Sequence, residues 1–412
     1  MKNKKYRVRR PSRFMLWAAS AFFAPLYKIK HKIKFDRTGL KGLKPPYIVL
    51  ANHTSWNDFA IVGMTLFPRR ANFVATSMIK RDPLLRMLTK SVGTIHKKVY
   101  WPDSDSLRRV QFVIEDKGII VMMPAGDVSI DGTPNYLDNT TARYIKSLKI
   151  PVVALNINGG YLHMPRFHKK TNRGAKIEVT TKLVFDGQDL ECMKNEDIYN
   201  RLWDELYFND AEWQKQKRMI FKGKKLAEGM QNILFKCARC MAEFSHKTKG
   251  RKIWCTECNN EFFVNDYFEF EASDDNKCYD NIYEWNNFQK ESISKEIENE
   301  EFSFSADTMI YDYKRDSING YEKRGDGTLT LSLKQLIYDG IYDGEVVTNA
   351  RNILRQPNIS MINCECIDIP NAKGVDRYYF NDRRQYVKFV LTFNLIRLKY
   401  YPYDYRDSDE KN

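Results

Sequence analysis

Short apolar runs alternate with helical stretches over residues 47–207, and this pattern constrains the fold more than any other feature of the 412-residue chain. The runs are YIVLA at 47–51, IIVMM at 119–123 and VVALNI at 152–157, followed by a strand-like IEVTTKLVF at 177–185. Wholly apolar runs are typical of parallel strands that are covered on both faces. Amphipathic patterns predict helices at about 103–118, 139–148 and 196–207. Together they predict an α/β domain whose mostly parallel sheet is flanked by helices.

Two segments set the expected limits of this domain, which we predict over residues 28–226. KIKHKIKF at 28–35 alternates strictly between lysine and less polar side chains, and such alternation predicts a half-buried strand. Residues 213–226 are rich in Lys and Gln, which favours an exposed connector.

The N-terminus is strongly basic. Residues 1–35 contain eleven Lys and Arg and no acid, within a chain of net charge +15. Phe14–Leu26 is an apolar run about half as long as the ~20 residues of a membrane-spanning helix. Pro25 and the basic residues after it make a poor signal-peptide cleavage site. We therefore expect residues 1–27 to be an interfacial anchor that binds anionic membrane lipids, the alternative being a helix buried against its own domain.

The chemistry is expected where the first apolar run ends, in LANHTSWNDF at 50–59. Ligands bind at the carboxyl ends of strands in open α/β sheets, and His53 follows such an end directly. A strand-to-helix turn can bring Asp58 to one imidazole nitrogen of His53 and leave the other nitrogen as a general base. This pair could deprotonate a hydroxyl that attacks a thioester, although most His-x4-Asp pairs are structural.

With Asn52 and Ser55, this motif resembles the Asn-His-x4-Asp signature of the lysophospholipid (glycerol-3-phosphate) acyltransferase superfamily. The resemblance covers about residues 28–210, and three further blocks follow in the family's order: GTIHKK at 93–98, MMPAGDVSIDG at 122–132 and IPVV at 150–153. It implies acyl transfer from acyl-CoA or acyl-carrier protein to a lysophospholipid-type hydroxyl, such as that of a 1-acylglycerol-3-phosphate. In this interpretation His53 and Asp58 are catalytic. The residues that the resemblance assigns to substrate binding are Asn52, Ser55, Lys97, Lys98, Gly126 and Ser129.

Four positions depart from the family. Val99 stands about where an Arg grips the acceptor phosphate, Ala125 and Val128 replace a Glu and an Arg that help hold the acceptor, and Asp127 replaces a Thr. Three alternatives follow. Other cations, namely Arg108, Arg109 or Lys80, substitute; the acceptor is not a simple phosphate monoester; or the protein is a degenerate lipid-binding scaffold without turnover.

Four of the eight cysteines form a second motif. Cys237 and Cys240 are separated by two residues, as are Cys255 and Cys258, with fourteen residues between the pairs. This spacing predicts a zinc ribbon over residues 230–270, in which four thiolates bind a structural Zn²⁺. His246 is then surplus to the ligand set. The other cysteines are scattered, which favours a reducing compartment and hence the cytoplasmic face of a membrane.

The remainder of the chain predicts a β-rich domain over residues 280–405. A helix at about 281–299 precedes short stretches rich in β-branched and aromatic residues, the last being RYYFNDRRQYVKFVLTF. A Tyr-Glu-Trp helix (residues 283–285) after a ribbon resembles a group of bacterial acylglycerol-phosphate acyltransferases, whose last domain looks like a pleckstrin-homology or GRAM-like lipid-binding module. Basic residues near Trp254 could contact nucleic acid, but the acidic stretch at 266–312 makes this partner unlikely.

Overall fold

A computed structural model describes residues 4–77, 83–98, 103–135, 137, 140–168, 174–273, 275–312, 320–356, 358–371 and 374–400. Lys80 and Val99 lie outside these residues. The chain divides into two compact units, Met1–Pro165 with Thr171–Met219 and Arg166–Lys170 with Ile220–Asn412.

A seven-stranded sheet forms the centre of the first unit. Its strands are β1 (Ile33–Phe35), β2 (Tyr47–Ala51), β3 (Ala71–Thr76), β4 (Ile95–Lys97), β5 (Ile119–Met122), β6 (Val152–Asn158) and β7 (Ile177–Phe185). They lie in the order β1-β7-β6-β2-β5-β3-β4. All neighbours are parallel except β6 and β7. The predicted mostly parallel sheet is confirmed, and β2 lies at its buried centre.

Helices cover both faces of this sheet. They are α1 (Arg13–Ala18), α2 (Ala24–His31), α3 (Asp58–Leu66), α4 (Pro83–Ser91), α5 (Ser104–Glu115), α6 (Thr140–Leu148), α7 (Gly160–His163), α8 (Asp189–Cys192), α9 (Asn195–Leu206) and α10 (Asp210–Lys217), with π-helical Ala19–Phe23 between α1 and α2. One buried cluster contains Val110, Ile145 and Leu202 from α5, α6 and α9. The other contains Ile61 and Val62 of α3. Burial on both faces explains the wholly apolar strands.

The local structures predicted for the two segments at the limits of this domain are wrong. Lys28–His31 end helix α2, and only Ile33–Phe35 form a strand. Lysine is a good helix former, and the helix buries His31 as effectively as a strand would. The predicted connector begins inside α10, and its Met219, Phe221 and Leu226 are buried.

The start of the chain packs on the first unit as a strap, which we define as residues 5–12. Tyr6 is buried, and the Arg108 guanidinium lies 5.2 Å from the centre of its ring and donates to its hydroxyl. The Arg9 carbonyl accepts a hydrogen bond of 2.8 Å from the Asn72 amide. The same carbonyl presses on Gly93 so closely that no Cβ would fit there. The first part of the predicted anchor is therefore held in place.

The helical segment after the strap is exposed. Helix α1 has no buried residue, and Phe14 and Phe22 are 78% and 72% exposed. Trp17 contacts Phe67 edge-on, with ring centres 5.7 Å apart. The described side chains of Phe14, Trp17 and Phe22 are therefore not buried against their own domain. Within the described ranges, every helix is too short or too polar to cross a membrane.

The second unit contains two antiparallel sheets and two long helices. The smaller sheet has strands β8 (His246–Lys249), β9 (Lys252–Cys255), β10 (Glu261–Val264) and β11 (Phe270–Ala272), and α11 (Ile282–Glu296) follows it. The larger sheet has β12 (Ser303–Asp312), β13 (Glu322–Ser332), β14 (Gln335–Tyr342), β15 (Glu345–Asn352), β16 (Ser360–Ile362), β17 (Cys366–Asn371) and β18 (Gly374–Phe380). Its order is β15-β14-β13-β12-β18-β17-β16. Helix α12 (Gln385–Tyr400) ends the described chain.

The mainly-β prediction for this region is confirmed, but its last predicted strand is wrong. RYYF ends β18, whereas the residues from Gln385 onwards form α12. Phe389, Phe393 and Ile396 recur at helical spacing and are all buried. Their β-branched and aromatic neighbours have strand propensity, which tertiary burial overrides here.

Candidate functional site

Asn52 fixes the backbone at the point where β2 ends. Its side-chain amide donates to the Ile157 carbonyl at 2.9 Å, and its side-chain oxygen accepts from the Ile157 N–H at 2.8 Å. The pair continues the β2–β6 contact for one more residue. Asn52 is buried, so the arrangement holds the backbone of His53 and leaves little of the amide for a ligand.

His53 and Asp58 form the pair that the motif predicts. The Nδ1 atom of His53 lies 2.9 Å from Oδ2 of Asp58, whose side chain is fully buried. An ionised carboxylate only accepts hydrogen bonds, so Nδ1 carries a proton and Nε2 is the basic nitrogen. Nε2 has no hydrogen-bond partner within the described part of the chain. The imidazole remains 19% exposed.

Four further donors hold the Asp58 carboxylate. They are the backbone N–H groups of Thr54 and Ser55, at 2.6 and 2.9 Å, and the hydroxyls of the same residues, at 3.0 and 2.8 Å. Asp58 also begins α3, where the helix dipole favours a negative charge. The carboxylate is thus fixed before any substrate binds. Ser55, predicted to bind substrate, is buried and used in this arrangement.

The loop after β5 closes over His53. The Ser129 N–H donates to the His53 carbonyl at 3.1 Å. The Ser129 hydroxyl accepts from the Gly132 N–H at 2.9 Å and donates to the Thr133 carbonyl at 2.6 Å. Its hydroxyl therefore stabilises the loop.

Gly126 is exposed, has a φ of 70°, and has no atom within 4 Å of where a Cβ would stand.

The predicted cations lie elsewhere on the domain. Lys97 and Lys98 are exposed at the end of β4, the edge strand that β3 and β5 separate from β2. Arg108 is engaged with Tyr6. Val128, at a position where the family has an Arg, is buried. The structure therefore does not bring Lys97, Lys98 or Arg108 to His53.

A pocket of about 20 Å³ lies beside His53, which is room for about one water-sized group. Its lining is Ala51, Asn52, His53, Pro124, Ala125, Pro134, Asn135, Leu137, Trp203, Leu206 and Phe208. Apart from His53 itself, the described lining has no ionisable side chain. Residues of α9 and of the loop after it were not anticipated from the sequence, because nothing local links them to the motif.

Tyr27, His31 and His163 form a chain of ring contacts, and Tyr27 lies near enough to Asp58 to feel its charge. The rings of Tyr27 and His31 lie 4.2 Å apart, and those of His31 and His163 lie 4.4 Å apart. Burial lowers the pKa of His163 to about 3, with a further contribution from His31 and Lys30. Burial likewise raises the pKa of Tyr27 to about 12, assisted by the negative charge of Asp58. We expect these groups to be neutral near pH 7.

The four predicted metal ligands come together in the second unit. Their sulfur atoms all lie within 4.8 Å of one another, and no disulfide joins them. The Sγ atoms of Cys237 and Cys258 are 3.8 Å apart, as are those of Cys240 and Cys255. A tetrahedron with Zn–S bonds of about 2.3 Å has S···S edges of about 3.8 Å, so the cluster fits a tetrahedral thiolate site. His246 instead contacts the Leu234 carbonyl through Nδ1 at 2.6 Å.

A comparison with protein families matches the part of the chain that contains His53 and Asp58. Residues 28–158 match the family model described as Acyltransferase. One similar solved structure is the 1-acyl-sn-glycerophosphate (LPA) acyltransferase PlsC from Thermotoga maritima, with 15% sequence identity and a TM-score of 0.38. The match covers 50% of this chain and 80% of that chain. No curated protein matches the sequence.

Proposed function

We propose that the domain containing residues 28–158, which match the family model described as Acyltransferase, transfers a fatty acyl group from acyl-CoA or acyl-carrier protein to a lysophospholipid-type hydroxyl. The observation that carries the proposal is the fixed His53–Asp58 pair, with Nδ1 held at 2.9 Å from the carboxylate and Nε2 left as a base. The acceptor is a 1-acylglycerol-3-phosphate or a related lipid.

The reaction needs no enzyme nucleophile. His53 Nε2 accepts the proton of the acceptor hydroxyl, and the oxygen attacks the carbonyl carbon of the thioester. Asp58 stabilises the imidazolium that forms. The tetrahedral intermediate then expels the thiolate, which takes the proton from Nε2 and leaves as a thiol. The products are an ester and free CoA or free carrier protein.

The surroundings of His53 support a reaction at a lipid surface. The pocket is small and lined mainly by apolar side chains, so it suits a single hydroxyl-sized group rather than a hydrated phosphate. Any phosphate of the acceptor would have to lie outside this pocket, where Gly126 is exposed and the backbone is open. We propose Gly126 as the outer part of the substrate site, with Lys97 and Lys98 farther along the same carboxyl edge of the parallel strands.

We propose that α1 and α2 hold this domain on an anionic membrane, as a peripheral protein of the cytoplasmic face. Phe14, Phe22, Leu26 and Ile29 are large apolar side chains more than 70% exposed. Basic residues flank them on both sides. An apolar face of this kind inserts into the acyl boundary while cations pair with lipid phosphates. The free state of all eight cysteines agrees with a reducing compartment.

We propose Zn²⁺ for the cysteine cluster. Four thiolates would fill its coordination sphere, so the ion would contribute to folding and take no part in acyl transfer.

A lipid-binding scaffold without turnover is the second candidate. It is favoured by Ala125 and Val128, which replace the ionisable residues expected from the family at the acceptor site. Such a protein would still bind the membrane but would not catalyse acyl transfer.

Mass spectrometry of lipid products distinguishes the two candidates. Purified full-length protein is incubated with labelled acyl-CoA, or labelled acyl-carrier protein, and vesicles containing a panel of lysolipids. We expect a new acylated lipid that His53→Ala abolishes and His96→Ala retains, since His96 does not line the pocket. Absence of product from every pair, with folded protein bound to vesicles, would favour the scaffold.

A further inference from the structure

We propose that Asp210 is a positioning residue that holds the loops after β5 and β6 around the His53–Asp58 pair, an inference whose kinetic meaning rests on the proposed acyl transfer. Asp210 lies outside every motif block and outside residues 28–158. It begins α10 and is fully buried. Its described side-chain partners are backbone N–H groups.

One connection runs from Asp210 to the carboxylate of Asp58. Oδ1 of Asp210 accepts from the Gly159 N–H at 2.8 Å, and Oδ2 accepts from the Tyr161 N–H at 2.9 Å. These contacts fix the turn that starts α7. The next glycine in this turn, Gly160, lies against the Thr54 side chain so closely that no Cβ would fit. Thr54 in turn donates two hydrogen bonds to Asp58.

A second connection runs from Asp210 to His53. The Asp210 N–H donates to the Gly132 carbonyl at 2.9 Å. Gly132 donates to the Ser129 hydroxyl, and the Ser129 N–H donates to the His53 carbonyl. Tyr161 supports the same loop, because its hydroxyl donates to the Ile130 carbonyl at 2.8 Å. One buried residue thus fixes both loops that contact the pair.

The carboxylate is needed because both of its oxygens are used. Oδ1 serves Gly159 and Oδ2 serves Tyr161, with Leu162 at 3.4 Å. An asparagine has one acceptor oxygen and would turn a donor toward one of these N–H groups. Burial raises the pKa of Asp210 to about 7, whereas the three amide donors oppose that rise.

The test compares Asp210→Asn with Asn209→Ala in the full-length protein. Asn209 caps α10 through Ala211 and Glu212 and touches neither loop, so it controls for damage to the helix. With the acyltransferase assay on vesicles, we expect Asp210→Asn to lower kcat by about 10²-fold and to change KM by less than about threefold, as for loss of a positioned base. Tyr161→Phe should give a smaller fall of kcat in the same direction, and Asn209→Ala should be near wild type.

A second readout does not need activity. The ¹⁵N spectrum of labelled histidine reports the tautomer of His53, assigned with His53→Gln. We expect Asp210→Asn to lose the single Nδ1–H form, whereas Asn209→Ala keeps it. An unchanged His53 tautomer with unchanged kcat would overturn the inference, as would an equal effect of Asn209→Ala. If the wild-type protein forms no product, the proposed function fails, and the spectra still decide whether Asp210 positions His53. Should Asp210→Asn not fold, Asp210→Glu, which keeps a carboxylate but displaces it by one methylene, is compared with Asn209→Ala by the same two readouts.

Discussion

The indole N–H of Trp285 donates to the backbone carbonyl of Lys236 at 3.0 Å, one residue before the first cysteine of the metal cluster. Trp285 lies on α11 and is fully buried. Its ring stacks on Phe262 of the ribbon sheet, with ring centres 4.6 Å apart. The cysteine cluster and α11 therefore share one hydrophobic core within the second unit.

Ion pairs extend this core to the C-terminal helix. Lys236 contacts Glu243 and Glu296 at 3.1 and 2.7 Å, and Lys388 contacts the same two carboxylates at 2.6 and 2.8 Å. Two lysines and two glutamates from the ribbon, α11 and α12 thus neutralise one another. Breaking such a partly buried set leaves an uncompensated charge, which is costly.

Removing the metal should therefore destabilise α11 and α12 as well as the ribbon. We expect a strong chelator, or Cys258→Ser, to lower the free energy of unfolding of the second unit by several kcal/mol (~3 or more). Hydrogen exchange followed by mass spectrometry measures the loss of protection over 246–300 and 385–400. Elemental analysis shows whether each chain holds one metal ion. Cys192→Ser is the matched control, because Cys192 is exposed on α8. Protection of α12 that is unchanged after metal loss would show that the core is not shared.

Asp58→Asn should reduce activity while leaving His53 in place. The amide cannot stabilise the imidazolium or accept from all five donors that meet the carboxylate, so we expect kcat to fall by about 10²–10⁴-fold. Steady-state kinetics on vesicles gives the effect. Thermal unfolding of the variant, compared with Asp189→Asn on exposed α8, separates a catalytic loss from unfolding. Near-normal kcat for a folded Asp58→Asn protein would refute the role assigned to the pair.

The combined change Phe22→Ser and Leu26→Ser should weaken binding to anionic vesicles. These side chains are 72% and 71% exposed, so neither supports the fold of the domain. Losing their burial in lipid should cost about 3 kcal/mol, which is about a 10²-fold weaker affinity. Vesicle sedimentation measures this, with Val346→Ser as a control for an exposed apolar residue of the second unit. If the wild type and the double variant bind vesicles equally well, residues 13–31 do not form the membrane contact.

His163 should make the protein less stable in weak acid. Its pKa is about 3 in the folded protein and near 6.5 when unfolded, so the unfolded chain binds the proton first as the pH falls. Stability from this group is complete above pH 6.5 and should decline by up to about 1.4 kcal/mol per pH unit below it. His31, whose pKa is also lowered by burial, adds to the same trend.

Denaturant titrations between pH 5 and 7.5 test this prediction. His163→Phe fills the same buried space without a titrating group and should flatten the pH dependence. His96→Gln, on the edge strand β4, should not. If His163→Phe leaves the pH dependence of the free energy of unfolding unchanged, another group causes the acid sensitivity.

Local patterns predicted much of this structure. The buried strand at 47–51, the turn that joins His53 to Asp58, and the two cysteine pairs all depend on neighbours a few residues apart. The sequence therefore predicted the sheet, the contact between His53 and Asp58 and the cluster of four cysteines, but not Asp210, whose partners lie 48 to 51 residues away. The prediction of a strand where α12 forms was wrong for a similar reason, because the burial of this segment depends on residues that are distant in sequence.

The strap has a consequence for the order in which the chain is made. During synthesis Arg9 and Arg10 leave the ribosome before their partners Asn72 and Asp116, which follow 63 and 106 residues later. Contacts of such separation close late in folding. Until those partners have been synthesised, the apolar residues of α1 are not yet attached to a folded domain. If residues 13–31 contact the membrane as proposed, they can bind the bilayer before the strap closes, and the domain would then fold with this segment already bound.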